Sequence, residues 1–256
     1  MTKYRLILLL NALSILVTIY INGLANALPI NGMNTGQVSA DYDNLFTPAG
    51  FTFSIWSIIY LGLIGFAIYQ FSFWNKQNQL LSRINWKIIA SGIFNCLWIF
   101  AWHYLLFELT LPLMIGLLVS LVLVNIDIYQ YARDNEFNPK FTWLIRISFG
   151  IYLGWICVAT IANISVFLTY INWGGFGLSP EFWLFVTLSA GVAVAVLLMK
   201  RLYAFTAAVA IAWGFYGIYQ KLLSKDVNSM ISYLVIAYIL AIVSYFIWLI
   251  SRRVKS

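Results

Sequence analysis

Long apolar runs separated by short polar stretches dominate the chain. A helix that crosses a hydrocarbon core of about 30 Å needs roughly 20 mostly apolar residues. Eight segments approach or exceed that length: 5–27, 50–72, 87–107, 111–131, 143–170, 181–200, 202–220 and 230–251. Because these runs are far too long for barrel strands, the pattern predicts an all-α, polytopic membrane helix bundle of about eight transmembrane helices.

The composition favours a bilayer environment. Of the 256 residues, 62% are hydrophobic and only 9% are charged, whereas soluble domains carry about 25% charged residues. A soluble globule of this size could not hide so much apolar surface from water. The formal charge of +7 would favour polyanion binding in a soluble protein. In a membrane protein, we expect the positions of these charges to indicate which loops lie on the cytoplasmic side. The expected partner is the lipid bilayer, and a nucleic-acid partner is not expected.

The Lys and Arg residues predict the orientation, because they concentrate in cytoplasmic loops. With the N-terminus inside, thirteen of the 15 basic residues, including Lys255, fall on the cytoplasmic side. Only Lys221 and Lys225 fall outside, together with acids such as Asp226. Both termini are therefore predicted to be cytoplasmic, in a bacterial inner membrane or another plasma membrane. One alternative stays open, since residues 1–27 also resemble a cleavable signal peptide, whose removal would leave seven spans.

Two connections between the predicted spans are longer than the rest. The outer segment 28–49 carries Gly, Pro and polar residues, and connections of this length are often functional. We expect it to form a lid over the outer helix ends. The cytoplasmic stretch 72–86 is polar and is predicted to be a solvated connector. Pro180 is predicted to begin the sixth long helix, where its missing N–H costs nothing.

Aromatic and amide side chains recur at helical spacing within three predicted spans. Trp56 and Tyr60 lie four residues apart and share one face of the second span. Asn95 and Trp98 lie three residues apart in the third span. The fifth span carries one stripe of four positions: Tyr152, Trp155, Ala159 and Asn163. Rings and amides placed in this way can wall a cavity.

These motifs resemble those of the TspO/MBR family, the tryptophan-rich sensory or translocator proteins. The second helix of that family has a proline-containing start followed by Trp-x3-Tyr, as in Pro48, Trp56 and Tyr60 here. Its third helix carries Asn-x2-Trp, and its fifth carries Tyr-x2-Trp with an Asn eight residues after the Trp. All three motifs occur here in order, so residues 1–173 resemble the five-helix core of the family. Residues 174–256 add three further helices.

The resemblance implies a pocket beneath the first outer loop that binds a tetrapyrrole, such as a porphyrin or haem, or another flat hydrophobic ligand. It assigns the ligand contacts to Trp56, Tyr60, Asn95, Trp98, Tyr152, Trp155, Ala159 and Asn163. Rings stack on flat aromatic plates, and amides bond their polar edges. The porphyrin would be a ligand, with no cofactor required. Family members often form homodimers, so the resemblance implies a homodimer here unless the last three helices replace that interface, pack against the core or make a separate site.

The chain departs from the family pattern in places that affect the expected pocket. Ser54 and Ile151 stand where the family usually has proline, so we expect different helix directions there. No basic residue follows Tyr170 closely, which removes the sterol motif of the animal members. Cholesterol is accordingly not the expected ligand.

Structural interpretations of the same residues stay open beside the functional one. Asn95 and Asn163 are equally typical of helix-to-helix hydrogen bonds. His103 could be a haem ligand, but no family motif covers it, which favours a packing role. Asp127 lies in a span, where acids are functional candidates by default. Its place near the cytoplasmic end predicts that it snorkels to water.

Three hypotheses for the function follow. The leading one is a ligand-binding sensor or regulator, and its alternative is a small-molecule membrane transporter, which eight helices and Asp127 permit. The third is a membrane enzyme in which a pocket Trp acts on a photosensitive or lipid-like substrate. The sequence contains no Walker loop, metal-ligand cluster, nucleophile–base pair or dinucleotide fingerprint. We therefore assign no catalytic and no metal-binding residue.

Overall fold

The computed structural model describes residues 2–28, 30–135, 139–225 and 229–254, with side chains up to Arg252. Helices dominate this part of the chain, and no strand occurs in it. The helices are α1 (Lys3–Ala27), α2 (Thr35–Asp41), α3 (Ile55–Tyr69), α4 (Gln79–His103), α5 (Phe107–Asp134), α6 (Pro139–Phe141), α7 (Ser148–Tyr170), α8 (Pro180–Leu202), α9 (Phe205–Ser224) and α10 (Ser229–Val254). Short 3-10 helices lie at Ile30–Gly32, Gly50–Ser54, Gln70–Phe73 and Gly175–Gly177. The predicted positions of Lys255 and Asp226 lie outside the described residues.

Seven helices of the described chain are long and apolar enough to cross a membrane, and they coincide with seven of the eight predicted segments. The all-α membrane bundle is thereby confirmed. The remaining segment, 202–220, forms α9, which has 20 residues but is not among the helices that qualify as candidate spans. Near its start the guanidinium of Arg146 donates to the carbonyl of Tyr203, and near its end Lys221 pairs with Asp43. Helix α9 therefore runs from one end of the bundle to the other, like its neighbours.

Helix α7 lies at the centre of the bundle. It packs against α3, α5 and α9, and its residues 152–158 are all buried. A helix that is buried on every side needs apolar residues all round, which is what this stretch provides. Helix α4 packs against both α1 and α5. Helix α10 packs on α8 and α9, and its exposed Leu240 and Ile247 are typical of a helix that faces lipid.

The interface between α7 and α9 joins the two predicted parts of the chain, 1–173 and 174–256. Gly154 of α7 lies against the backbone of Ala207, so that a Cβ on Gly154 would come within 2.6 Å of the Ala207 Cα. Gly214 of α9 lies against Val158, where a Cβ would come within 2.7 Å of Cγ1. Small residues let backbones approach closely in membranes. The last three helices are therefore packed directly onto the core.

The prediction that residues 72–86 form a solvated connector is wrong for the second half of that stretch, because α4 begins there, at Gln79. The side-chain oxygen of Asn78 accepts a hydrogen bond from the N–H of Leu81 at 3.0 Å and caps the helix. This capping residue is the signal that marks the true start. Pro180 begins α8, as its position predicted.

Candidate functional site

The predicted lid, residues 28–49, folds over one end of the bundle, which we call the loop end. The indole N–H of Trp102, near the end of α4, donates to the carbonyl of Thr35 at 3.2 Å. The side-chain amide of Asn31 donates to the carbonyl of His103 at 3.0 Å. These bonds fasten the segment to the end of α4, which is the position expected of a lid.

Four of the predicted rings form one aromatic group between α3 and α7. Trp56 and Tyr60 stack with ring centroids 5.5 Å apart and planes 21° apart. The ring of Trp56 also meets Tyr152 and Trp155 edge-on, at centroid distances of 5.8 Å and 6.4 Å. Such pairs stabilise a cluster beyond the area that they bury. The spacing predicted that Trp56 and Tyr60 share one helix face, and the structure shows their rings in contact with each other and with the α7 rings.

The indole nitrogen of Trp155 is the exception in this group. The side chain is 2% exposed, and its N–H has no hydrogen-bond partner in the described part of the chain. A buried donor without a partner costs about 1–3 kcal/mol. An acceptor on a ligand at this position would recover that free energy.

Asn95 joins three helices by hydrogen bonds. Its side-chain oxygen accepts from the amide of Asn22 in α1 at 2.6 Å. Its own amide donates to the hydroxyl of Tyr152 in α7 at 3.2 Å. All of these groups are buried. Asn95 thus holds α1, α4 and α7 together and positions one ring of the aromatic group.

Asn163 makes the second inter-helix link. Its side-chain oxygen accepts from the indole N–H of Trp98 at 3.0 Å, and its amide donates to the hydroxyl of Thr110 in α5 at the same distance. Sequence reasoning missed Thr110, although a hydroxyl in an apolar run just before Pro112 is a signal that could have found it. Ala159, half-buried, lies one helical turn before Asn163.

The rings of the aromatic group pack against one another. Tyr152 borders a void of only about 10 Å³, which is no larger than one water molecule needs. A ligand at this position therefore requires side chains to move, and Trp56 and Tyr60 are only partly buried.

A much larger cavity, of about 600 Å³, lies at the loop end. Residues 43–46 of the lid and the adjoining ends of α7, α8 and α9 line it. Trp173 and Trp183 form part of its wall, with ring centroids 4.8 Å apart. Ligand pockets typically occupy about 300–1,000 Å³. None of the eight predicted ligand-binding residues lines this cavity, and no motif in the sequence pointed to it.

Asp43 ties the lid to α9 beside this cavity. One carboxylate oxygen accepts from Lys221 and the other from Lys225, and Lys221 also donates to the carbonyl of Asn44 at 3.1 Å. Partial burial of Asp43 opposes its ionisation, but the hydrogen bonds and charges of the two lysines outweigh that effect. They hold the pKa of the carboxyl below its ordinary value.

An Asp43→Asn variant is expected to be less stable than the parent protein at pH 7, and this difference should close on acidification. The depressed pKa of Asp43 means that the ion pairs stabilise the fold above the ordinary aspartate pKa of about 3.9 and are lost as the pH falls through the folded value. Thermal unfolding of both proteins between pH 7 and pH 3 measures this. Asp41→Asn in the same segment is the control, because Asp41, unlike Asp43, makes no ion pair in the described part of the chain. A difference that does not depend on pH would contradict the assignment.

His103 has a packing role in this structure. The side chain is buried, its Nδ1 lies 2.7 Å from the carbonyl of Ile99, and its Nε2 lies 3.5 Å from the hydroxyl of Thr35. Because a carbonyl can only accept, Nδ1 carries the proton. Both ring nitrogens therefore have protein neighbours, which supports packing over haem ligation.

Asp127 does not snorkel to water. Its carboxylate in α5 lies 2.5 Å from the ammonium of Lys87 in α4, and its side chain is only 11% exposed.

Cys96 and Cys157 are free thiols. No group of three or more His, Cys, Asp or Glu side chains that could hold a metal occurs in the searched, described residues.

Apolar helices of spanning length, packed around a buried aromatic and amide cluster, define a polytopic helical membrane protein. A family model described as TSPO-like protein matches residues 8–248, and the chain belongs to that family. Comparison with curated proteins and with solved structures found no match. The family match continues past residue 173 through α8, α9 and most of α10. The three additional helices thus lie inside the matched region, and the domain division at residue 173 stays a prediction.

Proposed function

We propose that this TSPO-like protein is a ligand-binding sensor or regulator that takes up a tetrapyrrole or a similar flat hydrophobic molecule at the aromatic group. The observation that carries the proposal is the buried, unpartnered indole N–H of Trp155 among the rings of Trp56, Tyr60 and Tyr152. We place the protein in a bacterial inner membrane with both termini cytoplasmic, because that orientation follows from the distribution of Lys and Arg.

The packing supports a site that opens when ligand arrives. The stacked rings of Trp56 and Tyr60 are the partly buried members of the group, so a flat molecule would take the place of one ring against the other. The indole N–H of Trp155 would then donate to an acidic edge group of the ligand. Residues 28–49 would close over the site, since they already bond to the end of α4.

A Trp155→Phe variant tests the proposal. The substitution keeps an aromatic ring but removes the N–H, and a hydrogen bond of about 0.5–1.5 kcal/mol corresponds to roughly two- to tenfold weaker binding. Protoporphyrin IX is titrated into purified protein while the porphyrin absorbance is followed. Trp143→Phe is the matched control, because Trp143 is 66% exposed and should leave the affinity unchanged.

Equal weakening by both substitutions, or none by either, would contradict binding at this group. Absence of any saturable porphyrin binding would remove the tetrapyrrole hypothesis and favour the alternative, a small-molecule transporter. Flux of a candidate substrate into sealed proteoliposomes then becomes the deciding measurement.

A further inference from the structure

We propose that the 600 Å³ cavity at the loop end is a second ligand site, which takes a molecule with one anionic group on an apolar body. The anion binds Lys221 and Lys225 in place of the Asp43 carboxylate. This site is separate from the aromatic group, since none of the rings of that group lines the cavity.

The charges at the cavity point to an anion. Among its described lining residues, two lysines face a single carboxylate, that of Asp43. Among these described residues, one carboxylate that bridges two ammonium groups leaves a net charge of one positive unit. Lys221 has a 13% exposed side chain and Lys225 a 50% exposed one, so the ammonium of Lys225, although bonded to Asp43, also faces solvent and can meet a group that enters from there. Asp43 thus occupies the place of a ligand carboxylate or phosphate.

The rest of the wall suits an apolar body. Its large side chains are carbon-rich: Leu45, Phe46, Leu168, Trp173, Trp183, Leu184 and Leu222. The hydroxyls of Ser165, Thr169 and Thr187 each donate to a carbonyl of their own helix. The indole N–H of Trp183 is likewise bonded to the carbonyl of Gly175 at 3.0 Å. Because these donors are already satisfied, the N–H groups still available lie on the two lysines, whose ammonium groups carry three N–H each and use only part of them on Asp43 and Asn44.

The volume and the lining of the cavity together suit an amphiphilic ligand. A single-chain carboxylate and an anionic phospholipid both carry an anionic head on a hydrocarbon body. A small inorganic anion would leave the Trp173 and Trp183 wall unused, and a neutral hydrocarbon would leave the lysines without a new partner. The ligand could thus be a free acid or a membrane lipid, and titration with one probe of each kind distinguishes the two.

Native mass spectrometry of the detergent-solubilised full chain counts the bound molecules and measures their affinity in parallel titrations. The probes are palmitate, hexadecanol as its uncharged counterpart, and phosphatidylglycerol as the lipid. We expect one saturable palmitate or phosphatidylglycerol adduct, with hexadecanol bound about tenfold or more weakly, because hydrogen bonds to charged groups are the strong ones.

Two variants move the affinity in opposite directions. Lys221→Gln with Lys225→Gln should weaken binding of the anionic probe about tenfold or more. Asp43→Asn should strengthen it several-fold, because it removes the internal competitor and keeps both lysines. The charge-matched control, Lys200→Gln with Arg201→Gln, changes two exposed cations at the opposite end of α8 and should leave binding unchanged.

Each outcome decides the proposal. Tighter binding in Asp43→Asn supports it even if the double lysine variant fails to fold, and the preferred probe identifies the free acid or the lipid as the source. Hexadecanol bound as tightly as palmitate, weaker binding in Asp43→Asn, or no saturable adduct with either anionic probe would overturn it. Because the aromatic group is tested by Trp155→Phe and porphyrin, failure of one site leaves the result for the other intact.

Discussion

A Gly154→Ala variant is expected to lose about 3 kcal/mol or more of its free energy of unfolding. The added Cβ would overlap the carbonyl oxygen and Cα of Ala207 across the α7–α9 interface. Overpacking typically costs about 1–3 kcal/mol, and here the neighbour is backbone, which cannot rotate out of the way. Thermal unfolding in detergent, followed together with the fraction of monodisperse protein, measures the loss.

Gly23→Ala is the matched control for this experiment. Gly23 lies within α1, and a Cβ there would meet nothing within 4 Å. Alanine in a helix interior is favoured over glycine by roughly 0.5–1 kcal/mol, so this variant should be neutral or slightly stabilised. Equal stability of the Gly154 and Gly23 variants would show that α7 and α9 do not approach as closely as described.

Apolar run length was enough to predict the helices, because lipid leaves the backbone few alternatives to a helix. It was not enough to predict where α4 begins, since Gln79 lies in a polar stretch that the same criterion rejects. Helix α2 was missed for a similar reason. It is short, but Asn34 and Gln37 form a reciprocal capping box at its start, and that pattern is readable from sequence.

The sequence predicted only those parts of the candidate site in which the residues lie on one face of a single helix. The four-residue spacing of Trp56 and Tyr60 predicted that they share one helix face, and in the structure their rings stack on that face. The cavity at the loop end depends on how four separate segments are placed. The bond between Asp43 and Lys221 joins residues 178 positions apart, and no local pattern records such a pairing.

The last three helices support the predicted site from outside. The indole N–H of Trp213 in α9 donates to the carbonyl of Thr52 at 2.9 Å, and the N–H of Ala49 donates to the carbonyl of Gly217 at 3.0 Å. These bonds hold the segment that leads from the lid into α3, one turn before Trp56. Helix α9 therefore positions both the end of the lid and the start of the helix that carries the aromatic group.

A Lys87→Met variant is expected to lose about 3 kcal/mol of its free energy of unfolding. It leaves the carboxylate of Asp127 with 11% exposure and without its ion-pair partner. Removal of one member of a buried pair typically costs about 3–5 kcal/mol, and the lower end applies because Lys87 itself is 31% exposed. Chemical or thermal unfolding in the same detergent as the parent protein gives the difference.

A second substitution separates the lost charge partner from lost packing. In Lys87→Met with Asp127→Leu, neither charge remains, and replacing both members of a buried pair by apolar residues is often neutral or stabilising. We therefore expect most of the lost stability to return. Arg133→Gln is the surface control, because Arg133 and Asp134 form an ion pair with side chains 66% and 61% exposed, and such pairs contribute about 0–1 kcal/mol. A double variant no more stable than Lys87→Met alone would mean that the unpaired charge of Asp127 does not cause the lost stability.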